Sequence, residues 1–348
     1  IVPSPRGRIK ILFFVFFQIL QLFIFHPKKL FKLIKNHKIF SRSSSIFLSL
    51  SKILPVLNNT PDIFHIQWAK SLPFWFFLKE IYGVKIVLSL RGSHVNYSAF
   101  ADDLLAEQYN ALFPQVDKMH AVSNKIIKKA KKFGAKAKNI DVIYSSLDFE
   151  LLKKHEKIIY TIHRPFRFLS VGRFHWVKGY QYSISAIANL KKINKDIHYS
   201  IITSNSISEE ILYQIDDLSL NNNVEIIHSK CQEGVYEMMS ESDCLILPSV
   251  QEGISNVVLE SMYIGLPVVT SDCGGMKEVI NYGKNGFYFS ARNLRDLEKQ
   301  LLKVMNLTVQ EREKIIKEGK KYINDNLDPN LIKSKFHNLY KKTMEVEH

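Results

Sequence analysis

Short apolar segments alternate with amphipathic ones along most of this 348-residue chain, and this alternation constrains its fold more than any other feature. Four segments before residue 150 are typical of short buried strands: 62–67 (DIFHIQ), 84–90 (VKIVLSL), 118–122 (KMHAV) and 141–144 (DVIY). Helical segments separate them, and strands that alternate with helices form a parallel sheet covered by helices. The sequence therefore predicts an α/β protein.

The alternation restarts after residues 150–165, which are charged, lack a clear period and end in a proline. We therefore predict two Rossmann-like domains, one over residues 1–157 and one over residues 158–326, facing each other across a cleft. A C-terminal helix over residues 327–348 is expected to return toward the first domain. A ligand is expected in the cleft, where the carboxyl ends of the strands meet.

Net charge divides the chain in the same way. Residues 1–157 hold 25 Lys and Arg against 10 Asp and Glu, whereas residues 158–348 hold 23 of each. A basic front half predicts an anionic partner, which could be nucleic acid, a membrane surface or a phosphorylated substrate. Three cysteines without a CxxC pair argue against a disulfide framework or a zinc ribbon and favour the cytoplasm.

Residues 11–25 (ILFFVFFQILQLFIF) are almost wholly apolar and have basic residues on both sides. As a helix they reach about 22 Å, which is short of the ~30 Å hydrocarbon core of a bilayer. We expect a buried or interface-facing helix here, not a membrane span, and without a small-residue cleavage site not a signal peptide.

A first candidate binding segment is 168–179 (FLSVGRFHWVKG), in which a buried strand ends at Gly172. Arg173 and Lys178 follow in a loop before a helix. Two cations beside the backbone N–H groups of such a turn make an anion site suited to a diphosphate. The alternative is a pair of solvated surface charges.

A second and more specific segment is 248–267 (PSVQEGISNVVLESMYIGLP). Gly253 permits a tight loop after the strand, and Ser255 or Asn256 can cap a helix that runs to residue 264. Glu252 lies in the loop and Glu260 on the second turn of the helix. The helix N-terminus would face an anion, while both carboxylates would accept hydrogen bonds from hydroxyls, as a nucleotide sugar requires.

A third segment, 272–278 (DCGGMKE), places paired glycines between a strand and a helix. It either wraps a base or ribose or forms a simple turn.

Together, the GR…KG loop, the Glu-x7-Glu helix and the GG-x-x-E turn resemble glycosyltransferase family 4, the retaining, nucleotide-sugar-dependent enzymes of the GT-B fold. The resemblance covers roughly residues 60–325 and is specific over 165–290; Ser261 stands where the family usually has Ala. It implies that Arg173 and Lys178 hold the donor diphosphate beside Gly172, that Glu260 binds the ribose and that Glu252 binds the transferred sugar. The backbone amides implied near the phosphates or sugar are those of Gly253, Ile254, Ser255 and Asn256.

The chain departs from the family at two places. Many members end a front-domain strand in a histidine that lies beside the reacting sugar, whereas Arg91 occupies this position and His94 follows three residues later. Arg91 could contact the leaving phosphate or an anionic acceptor, or form a structural salt bridge. The family's first strand and its glycine-rich turn have no match, which predicts that roughly 40–60 residues of a typical member are missing at the start.

These observations predict a hexosyltransferase-type enzyme that moves a sugar, with retention, from a nucleotide-diphosphate sugar to a glycan acceptor, expected to be lipid-linked, in polysaccharide biosynthesis. The leaving diphosphate would take the proton of the acceptor hydroxyl, and neither a metal nor another cofactor is expected. The basic half and the apolar segment predict a peripheral position on the inner face of the cell membrane.

Three alternatives remain at this point. One is a GT-B epimerase of nucleotide sugars, and another is a truncated, inactive nucleotide-sugar-binding protein. Nucleic-acid binding is disfavoured, because the lysine-rich run over residues 125–138 contains Phe133 as its one aromatic residue and so lacks a stacking platform.

Overall fold

The computed structural model describes Pro5 and residues 7–36, 45–157, 161–193, 196–228 and 231–345. Two parallel β-sheets divide this chain, one with four strands that ends at Val142 and one with six strands that begins at Phe166. The predicted α/β class is confirmed. The predicted boundary after residue 157 falls at residues 158–160, outside the described residues.

The first sheet has the strand order β1-β2-β3-β4, so each strand pairs with the next one along the chain. Its helices surround an apolar core that includes Leu57, Leu88 and Tyr109. The helices and strands of this half are α1 (Arg8–Phe25), α2 (Pro27–Lys35), α3 (Ile46–Asn58), β1 (Ile63–Ile66), α4 (Leu72–Trp75), α5 (Phe77–Tyr82), β2 (Lys85–Leu90), α6 (Gly92–Asn96), α7 (Asp103–Leu112), β3 (Lys118–Ala121), α8 (Asn124–Lys131), β4 (Ile140–Val142) and α9 (Phe149–Lys153).

The second sheet has the strand order β10-β9-β8-β5-β6-β7. Its first strand, β5, lies in the middle, so the chain winds first to one side and then to the other. The elements of this half are β5 (Phe166–Val171), α10 (Tyr180–Ile193), β6 (Ile197–Thr203), α11 (Glu209–Asp217), β7 (Val224–His228), α12 (Gln232–Ser240), β8 (Cys244–Leu247), α13 (Asn256–Ile264), β9 (Val268–Ser271), α14 (Met276–Val279), β10 (Phe287–Phe289), α15 (Leu294–Met305), α16 (Val309–Leu327) and α17 (Pro329–Met344).

This winding creates a switch point between β5 and β8, which pair in parallel in the centre of the second sheet. In doubly wound sheets, ligands bind beyond the carboxyl ends of the two strands at such a point. The loops that follow β5 and β8 are the first and second candidate binding segments of the sequence. The fold therefore places both segments where a ligand is expected.

The C-terminal helix α17 leaves the second half and packs on the first sheet, as the sharp break at Asp328-Pro329 permits. Tyr340 on this helix contacts His65 at a distance of 2.9 Å between the hydroxyl and Nδ1. His65 Nε2 lies 2.9 Å from the Ser89 hydroxyl, which lies 2.9 Å from Nδ1 of His120. His120 Nε2 lies 2.7 Å from the carbonyl oxygen of Ile143, which is the last group in this chain of hydrogen bonds.

The carbonyl at the end fixes the direction of every bond in this chain, since a carbonyl oxygen can accept and never donate. His120 therefore carries its proton on Nε2, and Ser89 donates to its free Nδ1. By the same reasoning His65 donates from Nε2 to Ser89, and Tyr340 donates to Nδ1 of His65. Both histidines are neutral in this arrangement, and burial lowers the pKa of each to about 4.

The apolar N-terminal segment, predicted as a buried or interface-facing helix, forms α1, and its exposure excludes the fully buried alternative. Val15 and Leu22 are its buried residues and face the core, whereas Phe13, Phe16 and Phe17 are 64–72% exposed. The helix has 18 residues and so measures about 27 Å. By length and composition it qualifies as a candidate membrane span.

Candidate functional site

The loop after β5 and the loop after β8 are joined directly at the switch point. The backbone N–H of Val250 donates to the carbonyl oxygen of Val177 at 2.7 Å. Gly179 has a positive φ of 66°, and a Cβ at this residue would lie 2.2 Å from the carbonyl oxygen of Pro248. Glycine is required here by both conformation and space. The contact sets the two loops side by side.

The two loops bring Lys178 and Glu252 together, although 73 residues separate them in the sequence. Lys178 Nζ donates to Glu252 Oε1 at 2.6 Å, and the Ser249 hydroxyl donates to the same oxygen at 2.9 Å. Both charged side chains remain partly exposed to the cleft. Among the described residues, no donor contacts Oε2 of Glu252, so this oxygen is oriented and available to a ligand hydroxyl.

Arg173 lies at the carboxyl end of β5, directly after Gly172. It lines a cavity of about 310 Å³ beside Gly172, Thr203 and Gln232, at the carboxyl ends of β5 and β6. This volume is in the range of small-ligand pockets. The Lys178 side chain lies against Gly172, and in the described part of the chain no hydrogen bond or ion pair joins Arg173 to Lys178 or Glu252.

Glu260 lies behind this cavity, on the second turn of α13. Its Oε1 accepts a hydrogen bond from the hydroxyl of Tyr236 at 3.1 Å, and Gln232 donates to that hydroxyl at 2.6 Å. Burial raises the pKa of Glu260, while the bond from Tyr236 opposes the rise. A partly dehydrated carboxylate gains most from further hydroxyl donors, such as those of a ribose.

The helix between the two glutamates has the predicted ends: Ser255 is its N-cap residue and Gly265, at φ 99°, ends it. Gly253 is buried, Ile254 is half-buried and Asn256 is exposed. The predicted backbone site over Gly253, Ile254, Ser255 and Asn256 therefore forms the N-terminal approach to α13, with the helix dipole favouring an anion there.

The paired glycines of the third segment support this loop from behind. Gly275 donates its backbone N–H to the carbonyl oxygen of Gly253, and a Cβ on Gly274, which has a φ of 56°, would lie 2.0 Å from the carbonyl oxygen of Glu252. Side chains at these positions would displace the loop that carries Glu252. The segment thus acts through backbone contact with the loop.

The last residue of that segment, Glu278, reaches the other half of the molecule. Its carboxylate accepts hydrogen bonds from the backbone N–H of Asn124 at 2.8 Å, from the Asn124 side chain at 3.0 Å and from the backbone N–H of Lys125 at 2.9 Å. These groups lie at the start of α8, whose own N-cap residue, Ser123, makes no side-chain cap. A carboxylate of the C-terminal half therefore caps a helix of the N-terminal half. The sequence analysis did not foresee this role.

Arg91 and His94 lie on the N-terminal side of the cleft, at the carboxyl end of β2. Arg91 Nη2 donates to Gln67 Oε1 at 2.7 Å, and the guanidinium lies 5.6 Å from the centre of the Trp68 ring. The same ring lies 5.0 Å from that of His94. Next to Arg91, a Cβ at Gly92 would lie 3.5 Å from the backbone nitrogen of Gly253. The structure therefore brings this pair up to the loop of Glu252.

A doubly wound sheet with the candidate loops at its switch point, together with a second parallel sheet across the cleft, is the architecture of the GT-B class. Solved structures with the same architecture include a sucrose-phosphate synthase from Thermosynechococcus elongatus, with a TM-score of 0.76, 14% identity and coverage of 90% of this chain and 80% of that one. Another is HepE of Anabaena in complex with UDP and glucose, with a TM-score of 0.71, 18% identity and coverage of 80% and 78%. The predicted GT-B fold is confirmed.

Residues 153–322 match the sequence profile of the family described as Glycosyl transferases group 1. Similar proteins include the amylovoran biosynthesis glycosyltransferase AmsK of Erwinia amylovora, 29% identical over 57% of this chain and 50% of that protein. The putative colanic acid biosynthesis glycosyltransferase WcaL of Escherichia coli is 24% identical over 65% and 56%. The resemblance inferred from the motifs is confirmed, and the chain spans about half the length of these curated relatives.

Proposed function

We propose that this protein transfers a sugar from a nucleotide-diphosphate sugar to a glycan acceptor in polysaccharide biosynthesis. The observation that carries the proposal is the Lys178–Glu252 pair at the switch point, where a cation and an oriented carboxylate lie side by side beneath the N-terminus of α13. A donor offers a diphosphate and a polyol, which match these two groups. The names of the similar proteins support the same class of reaction.

The reaction proposed is transfer with retention, in which the leaving diphosphate takes the proton of the acceptor hydroxyl. Lys178 has three N–H donors and gives one to Glu252, which leaves two for phosphate oxygens. Arg173 and the N-terminus of α13 add positive potential where negative charge develops on the leaving group. Glu252 Oε2 would orient the sugar, and Glu260 the ribose.

Replacement of Lys178 by Ala tests this assignment. We expect calorimetric affinity for UDP, GDP or ADP, whichever the wild type prefers, to fall at least tenfold, together with sugar release from the matching nucleotide sugar. Lys299→Ala, on the exposed face of α15, is the matched control and leaves both unchanged. Unchanged nucleotide binding in the Lys178 variant would refute the donor site, and nucleotide binding without turnover in the wild type would favour an inactive binding protein.

We further propose that the acceptor is lipid-linked and that the exposed face of α1 rests on an anionic membrane at the cytoplasmic side. Besides the three phenylalanines of α1 described above, Phe23 and Phe25 are exposed along the helix. No Asp or Glu occurs in the sequence before Asp62, while this stretch contains ten Lys and Arg. An apolar helix face surrounded by cations alone suits the interface of a bilayer rich in anionic lipid.

Sedimentation with vesicles tests the membrane proposal. We expect binding to vesicles of phosphatidylglycerol and phosphatidylcholine, weak binding to phosphatidylcholine alone, and loss of most binding in Phe13→Ser/Phe17→Ser. Tyr213→Ser removes an aromatic residue that is 71% exposed in the other half and serves as the control. Equal binding of both vesicle types, or no effect of the double substitution, would contradict the proposal.

A further inference from the structure

A small cluster on the N-terminal wall of the cleft consists of Arg91, Trp68 and His94, and Arg91 carries its positive charge. The hydrogen-bonding capacity of this cluster is not filled among the described residues. Arg91 donates from Nη2 to Gln67 and faces the ring of Trp68. Its Nε is buried and has no hydrogen-bond partner among the described residues. Nδ1 of His94, whose ring lies 5.0 Å from the same indole ring, is likewise buried without a described partner.

The charge of this cluster is not balanced by a carboxylate. No Asp or Glu of the described chain forms an ion pair with Arg91. Burial lowers the pKa of Arg91 and that of His94, and nearby Lys70 lowers the pKa of His94 further. A half-buried guanidinium without a counter-charge has an uncompensated desolvation free energy, and an anionic ligand group would compensate it.

The position of the cluster indicates which ligand it would meet. Gly92, next to Arg91, abuts Gly253, and Asn96 donates from its side chain to the carbonyl oxygen of Glu252 at 3.4 Å. The cluster thus lies on the N-terminal half, next to the loop that carries the carboxylate assigned to the donor sugar. Trp68 is 48% exposed and offers an aromatic surface on which a sugar ring can stack.

We propose that Arg91, Trp68 and His94 bind an acidic sugar of the acceptor, with the terminal N–H groups of the guanidinium holding its carboxylate or phosphate group. This inference rests on the proposed transferase function for its setting and adds the chemical class of the acceptor. A planar guanidinium whose terminal N–H groups are only partly used by Gln67 can donate two hydrogen bonds to a carboxylate. The indole ring of Trp68, 5.6 Å from the guanidinium, can stack on the sugar ring that carries this group.

Ligand-observed NMR with glucuronate, glucose 6-phosphate and glucose tests the proposal, because these probes share a ring and differ at C6. We expect the wild type to bind the two acidic probes at least tenfold more tightly than glucose. Arg91→Gln abolishes the preference and Arg91→Lys retains part of it. Arg295→Gln, an exposed arginine of α15, leaves the preference unchanged. Thermal unfolding of each variant shows whether it is folded.

Calorimetry with UDP, GDP and ADP on the same variants separates the possible sources of the anion. A change of less than twofold in nucleotide affinity in Arg91→Gln supports an acceptor subsite. A loss of nucleotide affinity with no preference for acidic sugars would assign Arg91 to the donor diphosphate and overturn the inference, as would equal binding of glucuronate and glucose by the wild type. Because the sugar probes are measured without nucleotide, their result is independent of the Lys178 test of the proposed function.

Discussion

The contact between Glu278 and the start of α8 allows a direct test of what holds the two halves together. Glu278→Ala removes a carboxylate that accepts three hydrogen bonds at 2.8–3.0 Å, two of them from the backbone N–H groups of Asn124 and Lys125. Loss of a helix cap costs about 1 kcal/mol, and loss of a charged acceptor at a half-exposed site raises this to about 1–2 kcal/mol. Closure of the cleft should therefore become about 5- to 30-fold less favourable.

Amide hydrogen exchange measures this effect at the two groups concerned. In the wild type, the amides of Asn124 and Lys125 should exchange slowly, and in Glu278→Ala they should exchange about 5- to 30-fold faster. Glu278→Gln should lie between them, since its amide oxygen still accepts a bond without the charge. Glu318→Gln breaks a surface ion pair with Lys284 inside the C-terminal half and controls for loss of a carboxylate. Unchanged exchange at both amides in Glu278→Ala would refute the reasoning.

Three further outcomes are expected. The free energy of unfolding should fall as the pH drops from about 6.5 toward 4, by on the order of 3 kcal/mol for one histidine. The reason is that unfolding returns His65 and His120 from a pKa of about 4 to their ordinary value, so the unfolded chain binds more protons. Urea titrations at several pH values measure this dependence, which His120→Gln should reduce. Tyr340→Phe removes the donor to His65 Nδ1 and should cost about 1–2 kcal/mol in the same assay at pH 7.5, while a cost near zero would contradict a stabilising hydrogen bond between the two side chains. Gly179→Ala should lower the melting temperature and weaken nucleotide binding, because it adds a backbone clash to a positive φ, whereas Gly83→Ala, with φ 71° and open space, isolates the conformational cost alone.

The local structure of the two loops at the switch point was predictable because its signals are local in sequence. A buried strand, a glycine that ends it and two cations in the next loop predict the position of Arg173 and Lys178. A strand, a loop glycine and a capped helix predict α13 to within a residue at each end. Such patterns reflect backbone preferences that depend on residues within about ten positions of each other, so they can be read from the sequence.

Contacts between distant segments were not predictable in the same way. The join of Val177 to Val250 and the cap of α8 by Glu278 link residues that are 73 and more than 150 positions apart, and no local pattern marks either partner. The sequence left open whether α1 is buried or interface-facing, because a continuous apolar run has the same composition whether protein or another apolar medium covers it.

The division of the site between the two halves has a thermodynamic consequence. Lys178 and Glu252 belong to the C-terminal half and Arg91 to the N-terminal half, and the halves meet beside them through glycine backbone and the Glu278 cap. A ligand that touches one half has no differential affinity for the closed state and cannot favour it. A donor and an acceptor that contact each other across the closed cleft favour closure jointly, so each should raise the affinity for the other by the same factor, and this factor should fall when Arg91 is replaced by Gln.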